Sequence, residues 1–150
     1  YLPISFPFSM EWLDTLWHVV ARVIDWEFAH FGQPAQDVAH LAAHLWMHSH
    51  RAATTHHARL AQTVLDNFLE AYRFNMGRQL TNLYAASGIR DCEIHFGAEV
   101  LARTIGVYQP GYLYDGLSAT SVPVREAIQV AVSHMSLLEE VKTFAPLGAS

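Results

Sequence analysis

The chain has 150 residues, of which 51% are hydrophobic and 15% charged, a globular composition long enough to bury a core in one domain or part of one. Its net charge of −5, with nine scattered Lys and Arg, offers no basic surface for nucleic acid. A single cysteine, Cys92, excludes an internal disulfide framework and suits a reducing, cytoplasmic setting. No apolar run approaches the roughly 20 residues of a membrane span, so no membrane partner is expected.

Residues 1–20 yield little organisation and are left unassigned. Pro3 and Pro7 argue against a helix, and the segment has no basic region of a signal peptide. Position 1 is Tyr rather than an initiator Met, which reads as a fragment or an incomplete gene model. Leu16 to Phe28 is rich in β-branched and aromatic residues, and one or two short strands, as a hairpin, are expected there. Phe31-Gly32-Gln33-Pro34 is a turn, with Pro34 permitting a helix just after it.

Helices follow. From about Ala35 to Ser49 the apolar Val38, Leu41, Ala42 and Leu45 share one face. His40, His44 and His48 fall at successive i+4 positions roughly opposite that face. An i, i+4 histidine pair can bind zinc, but a third convergent ligand is missing from the local sequence, and a solvated face is the simpler reading. A second helix, about His57 to Arg73, has its stripe at Leu60, Val64, Leu65, Phe68 and Tyr72. A short element from about Arg78 to Ala86 ends at Ser87-Gly88, a natural stop. Asp91 then opens a helix to about Ile105, with Phe96, Val100, Leu101 and Ile105 inward. Gly106 to Thr120 is a loop holding Tyr108, Tyr112 and Tyr114, either functional, as its length allows, or a surface loop pinned by its tyrosines. Ser121 caps a last helix running to about Lys142, with Val124, Ala127, Ile128, Ala131, Val132, Met135 and Leu138 at helical spacing. Cys92 reads as a buried thiol. His95 and His134 read as satisfied, partly buried histidines, and the four tryptophans as core or interface residues.

The chemistry-bearing stretch is Val23-Ile24-Asp25-Trp26-Glu27-Phe28-Ala29. Asp25 ends an apolar run, and Glu27, two residues on, points to the same side of an extended chain. Two carboxylate ligands on one side suit Mg²⁺, although acids at a turn are the simpler reading of those residues alone. Together with Gly32-Gln33-Pro34 and Asp37-Val38-Ala39, this stretch resembles the metal-binding corner of aminoglycoside-phosphotransferase and choline-kinase-like enzymes, which are protein-kinase-like, and within them that of fungal aminoglycoside-phosphotransferase-domain proteins. His95-Phe96-Gly97-Ala98-Glu99-Val100-Leu101 is similar to a helix near the C-terminus of those proteins. The likeness covers about Arg22 to Lys142.

The resemblance implies a mainly α fold: residues 21–145 as the C-terminal lobe of a phosphotransferase domain, a short strand or hairpin followed by about five helices. It implies Mg²⁺ and ATP as cofactors, Asp25 as the metal ligand on the nucleotide phosphates, and Glu27 as the acid completing the metal shell. Asp37 would give structural support at a helix start. The partner would be a small-molecule hydroxyl acceptor. Residues 1–24 hold no His-Gly-Asp-x-x-x-x-Asn catalytic loop, no nucleotide-covering Gly-rich loop is present, and Lys142 is the only lysine. The chain alone is therefore expected to be inactive, with no catalytic residue assigned. The alternative is a non-catalytic helical interaction module that meets a protein partner at an exposed former lobe interface.

Overall fold

A computed structural model describes residues 32–79, 86–136 and 143–144. The chain divides into two compact units, Tyr1–Gly32 and Gln33–Ser150, and the described residues, Gly32 aside, belong to the second. The expected hairpin, Asp25 and Glu27 lie outside the described residues, as does most of the short element expected near 78–86.

The described part is mainly helical: α1 (Pro34–His50), α2 (Thr55–Met76), α3 (Ala86–Thr104) and α4 (Val122–Met135). Pro34 opens α1 where a missing N–H costs nothing. Thr54 caps α2 through Oγ1, which accepts from His57 N–H at 3.2 Å. Gly77 ends α2 with φ 49° and ψ −127°, its N–H bonded to the Arg73 carbonyl at 3.2 Å. Ser121 holds the N-cap position of α4, but its hydroxyl caps nothing.

Packing is serial: α1 lies against both α2 and α3, and α3 against α1 and α4. The core is built from Val38, Ala39, Ala42, Ala43 and Met47 of α1, Leu65 and Leu69 of α2, Cys92, Phe96 and Val100 of α3, and Val124, Ala127 and Ala131 of α4, joined by Tyr114 and Phe144. Fully buried alanines on α1 and α4 let neighbouring helices approach closely. At Gly97 the crossing of α3 and α4 is close. A Cβ added at Gly97 would stand 2.6 Å from the Ala131 carbonyl oxygen and 2.5 Å from Met135 Cγ.

Several expectations are corrected. Ser87-Gly88 does not stop a helix, and Asp91 does not start one; α3 begins at Ala86 and runs through both, with Gly88 buried. Packing at Gly88 outweighs the local preference of glycine for helix ends. The stripes are also rotated. Leu41, Leu60, Val64, Ile105, Val132 and Met135 are exposed and Leu69 turns inward, while Leu65 and His134 are buried as expected. Helix α1, covered on two sides, buries a wider arc than a single apolar stripe predicts.

Candidate functional site

The wide arc of α1 carries its histidines against α3 and the following loop. The i, i+4 spacing puts His40 and His44 one turn apart, and α3 presents Glu99 opposite them. His44 Nε2 lies 3.2 Å from Glu99 Oε1, and His40 Nε2 lies 4.0 Å from Glu99 Oε2. Arg103, one turn beyond Glu99, donates from Nε to Oε1 at 2.8 Å. Its guanidinium also sits over the rings of Tyr108 and Tyr112, at 5.1 and 5.2 Å. On the far side of the His44 ring, Nδ1 meets the Tyr112 hydroxyl at 2.5 Å.

A second chain of the same kind lies further along α1. His50 Nδ1 meets the Tyr114 hydroxyl at 2.8 Å, and its Nε2 meets Glu126 Oε2 at 3.2 Å. With each glutamate ionised, Nε2–H donates to the carboxylate, and the neutral ring's Nδ1 accepts from the tyrosine hydroxyl. Two Tyr–His–Glu chains thus fasten the loop to α1, reinforced by Arg51 Nε donating to the Leu113 carbonyl at 3.2 Å. Within the loop, the Gln109 side-chain amide donates to the carbonyls of Tyr114 and Leu117. The loop is pinned by its tyrosines, one of the two readings the sequence supports.

The electrostatics follow from these contacts. The hydrogen bond from His44 outweighs the burial that opposes it and, with Arg103, holds the Glu99 carboxyl down to about 2. Burial keeps His40 below its usual range, although Glu99 pulls the other way. Burial raises the hydroxyls of Tyr112 and Tyr114 above the normal phenol range, so both remain protonated donors at neutral pH.

A third polar pair is buried between α3 and α4. His134 Nδ1 makes a short bond to Glu93 Oε2, and Glu93 Oε1 accepts from the Phe144 N–H at 3.3 Å. The Phe96 ring covers His134 at a centroid distance of 4.2 Å. Cys92 is fully buried beside this pair, and desolvation pushes its thiol up to about 12, making it an inert core group.

Asp37, expected near a catalytic corner, stands exposed in the first turn of α1, where its charge faces the positive end of the helix. Asp25 and Glu27 lie outside the described residues, so Asp37 alone of the three candidates is placed. His48 is exposed as expected for a solvated face. His40 and His44 correct that reading, since both are half-covered against Glu99. Glu99 falls within the His95–Leu101 motif, yet nothing in that motif gives it a role. The Glu99–Arg103 spacing is the one local signal that could have found it. Among the described residues no helix is long and apolar enough to cross a membrane. Compared with models of known families, with curated proteins and with solved structures, the chain matches none.

Proposed function

We propose that the chain is the C-terminal, helical lobe of an aminoglycoside-phosphotransferase-like small-molecule kinase. In it, Asp25 holds Mg²⁺ on ATP, Glu27 supports the metal shell, and the helices form the side facing a hydroxyl acceptor. The observation that carries this reading is the run Ile24-Asp25-Trp26-Glu27, followed by Gly32-Gln33-Pro34 and Asp37. A helix that opens at Pro34 with Asp37 in its first turn, and a mainly helical unit behind it, support the reading. Lacking a His-Gly-Asp loop in residues 1–24, the chain by itself transfers no phosphoryl group.

A second reading, the non-catalytic helical interaction module, is favoured by apolar side chains left open on α2. Leu60 is 55% exposed, Val64 44% and Phe74 70%.

Paramagnetic Mn²⁺ with ATP, added to the isotopically labelled chain, separates the two. The kinase reading expects ATP-dependent broadening of amide signals around Asp25 and Glu27, abolished by Asp25→Asn. Unbroadened signals in that stretch at saturating Mn²⁺–ATP overturn it in favour of the module.

A further inference from the structure

Helix α2 packs chiefly against α1, with Leu65, Phe68, Leu69, Tyr72 and Met76 turned toward the core. A second stripe runs along its other side. Leu60, Val64, Asn67, Ala71 and Phe74 follow one another at alternating steps of four and three residues. Such steps average 3.5 residues and keep one seam aligned along a helix, the pattern by which two helices pack side by side. Leu60, Val64, Asn67 and Phe74 are exposed, and Ala71 is half-buried.

We propose that a second copy of this chain covers this seam, the two α2 helices lying antiparallel across a two-fold axis. In an antiparallel pair the two kinds of seam position meet each other across the interface. Leu60 of one copy then faces Ala71 of the other, and Val64 faces Asn67. Large meets small in the Leu60–Ala71 layers, and Phe74 comes level with the exposed His57 at each end. The inference concerns α2 and rests on neither reading of Asp25 and Glu27.

Charge fixes the direction. Arg59 and Glu70 stand about three turns apart along one edge of the seam. Both are exposed, and neither makes an ion pair among the described residues. Measured along the axis, an antiparallel copy brings its Arg59 within about 3 Å of the level of Glu70, and the two-fold makes this pair twice. Thr63 lies on the same edge, level with Asn67 of the second copy, and its hydroxyl oxygen can accept from that amide. A parallel pair would set this edge against the one carrying His57, Ala61 and Phe68, where no carboxylate or guanidinium answers it. The seam is about 21 Å long. So short an interface makes a weak dimer, with a dissociation constant on the order of 10⁻⁴ M.

The test is sedimentation velocity of the whole chain from about 5 to about 500 µM, a range that brackets the expected constant. A monomer–dimer equilibrium is expected. Leu60→Glu with Val64→Glu, both at exposed positions, should weaken it roughly tenfold or more. Glu70→Arg should weaken it as well, and adding Arg59→Glu should restore it. Leu60→Cys mixed with Ala71→Cys should give a disulfide-linked dimer on oxidation, whereas Leu60→Cys alone should not. Cys92 is buried and stays out of that reaction. A chain that remains monomeric throughout the range, a dimer indifferent to the seam substitutions, or self-linking of Leu60→Cys alone overturns the proposal.

Discussion

At Glu99 a carboxylate whose side chain is only 10% exposed receives His44 and Arg103 on one oxygen. Its pKa of about 2 lies below the ordinary 4.5, so the stabilisation it gives is complete above pH 4.5 and is lost as pH falls through 2. Glu99→Gln should therefore cost about 1–3 kcal/mol near neutrality. The gap between variant and wild type in urea unfolding should close as pH drops across that interval. Glu93 is the harsher case. Glu93→Ala leaves His134 and the Phe144 N–H buried without their partner. Removing one member of a buried pair costs about 3–5 kcal/mol, and equilibrium unfolding at neutral pH should read a loss of that size. The burial of Cys92 and His134 was legible from their apolar neighbours on helical spacing. The role of Glu99 was not, because its partners arrive from α1 and from the loop and leave no mark on the sequence around it.

Helix ends carrying explicit chemistry were readable: Pro34 opens α1 and Ser121-Val122-Pro123 opens α4 within a residue of expectation. Ser87-Gly88 misled because a glycine buried by packing has the same letter as a glycine ending a helix. Gly97 is a glycine of the first kind. In an isolated helix, alanine would be favoured there by about 1 kcal/mol. Here its methyl would meet the Ala131 carbonyl oxygen at 2.6 Å, and backbone cannot turn aside as a side chain can. Gly97→Ala should be destabilising by about 1–3 kcal/mol. A raised melting temperature for this variant would show that α3 and α4 sit further apart. At the start of α2, Thr54→Ala should cost about 1 kcal/mol through loss of the bond to His57 N–H, read as a lower denaturation midpoint.

Across the molecule, the serial order α2, α1, α3, α4 leaves the loop between α3 and α4 to be closed onto α1 by side chains rather than by another helix. Tyr112 and Tyr114 do this with their hydroxyls, and Tyr114 also buries its ring completely. Replacing both by Phe keeps the rings and removes the bonds to His44 and His50. The expected result is faster hydrogen exchange at the amides of Asp115 and Leu117, which bond within the loop, with little change at the centre of α3. The mainly helical class was legible because α1, α2 and α4 each have an apolar face, however rotated, whereas α3, which buries Glu93 and Glu99 beside Phe96 and Val100, has little contrast between its faces. The joining of α1 to the loop was not, since periodicity records which face is apolar and not which side chains a distant loop will bring to the other faces.

The end of α2 has a stereochemical consequence. Gly77 holds φ 49° and ψ −127°, and among the described residues no atom beyond its own chain neighbours lies within 4 Å of the L-type Cβ position. Inverting both signs gives an extended conformation that L-residues adopt freely, so this backbone is natural for an amino acid of opposite hand. A semisynthetic chain with D-alanine at 77 should keep the fold and gain about 0.4–1 kcal/mol by restricting the unfolded state, whereas L-alanine there should lose stability. At this one position the protein has a preferred chirality that its genetic code cannot supply.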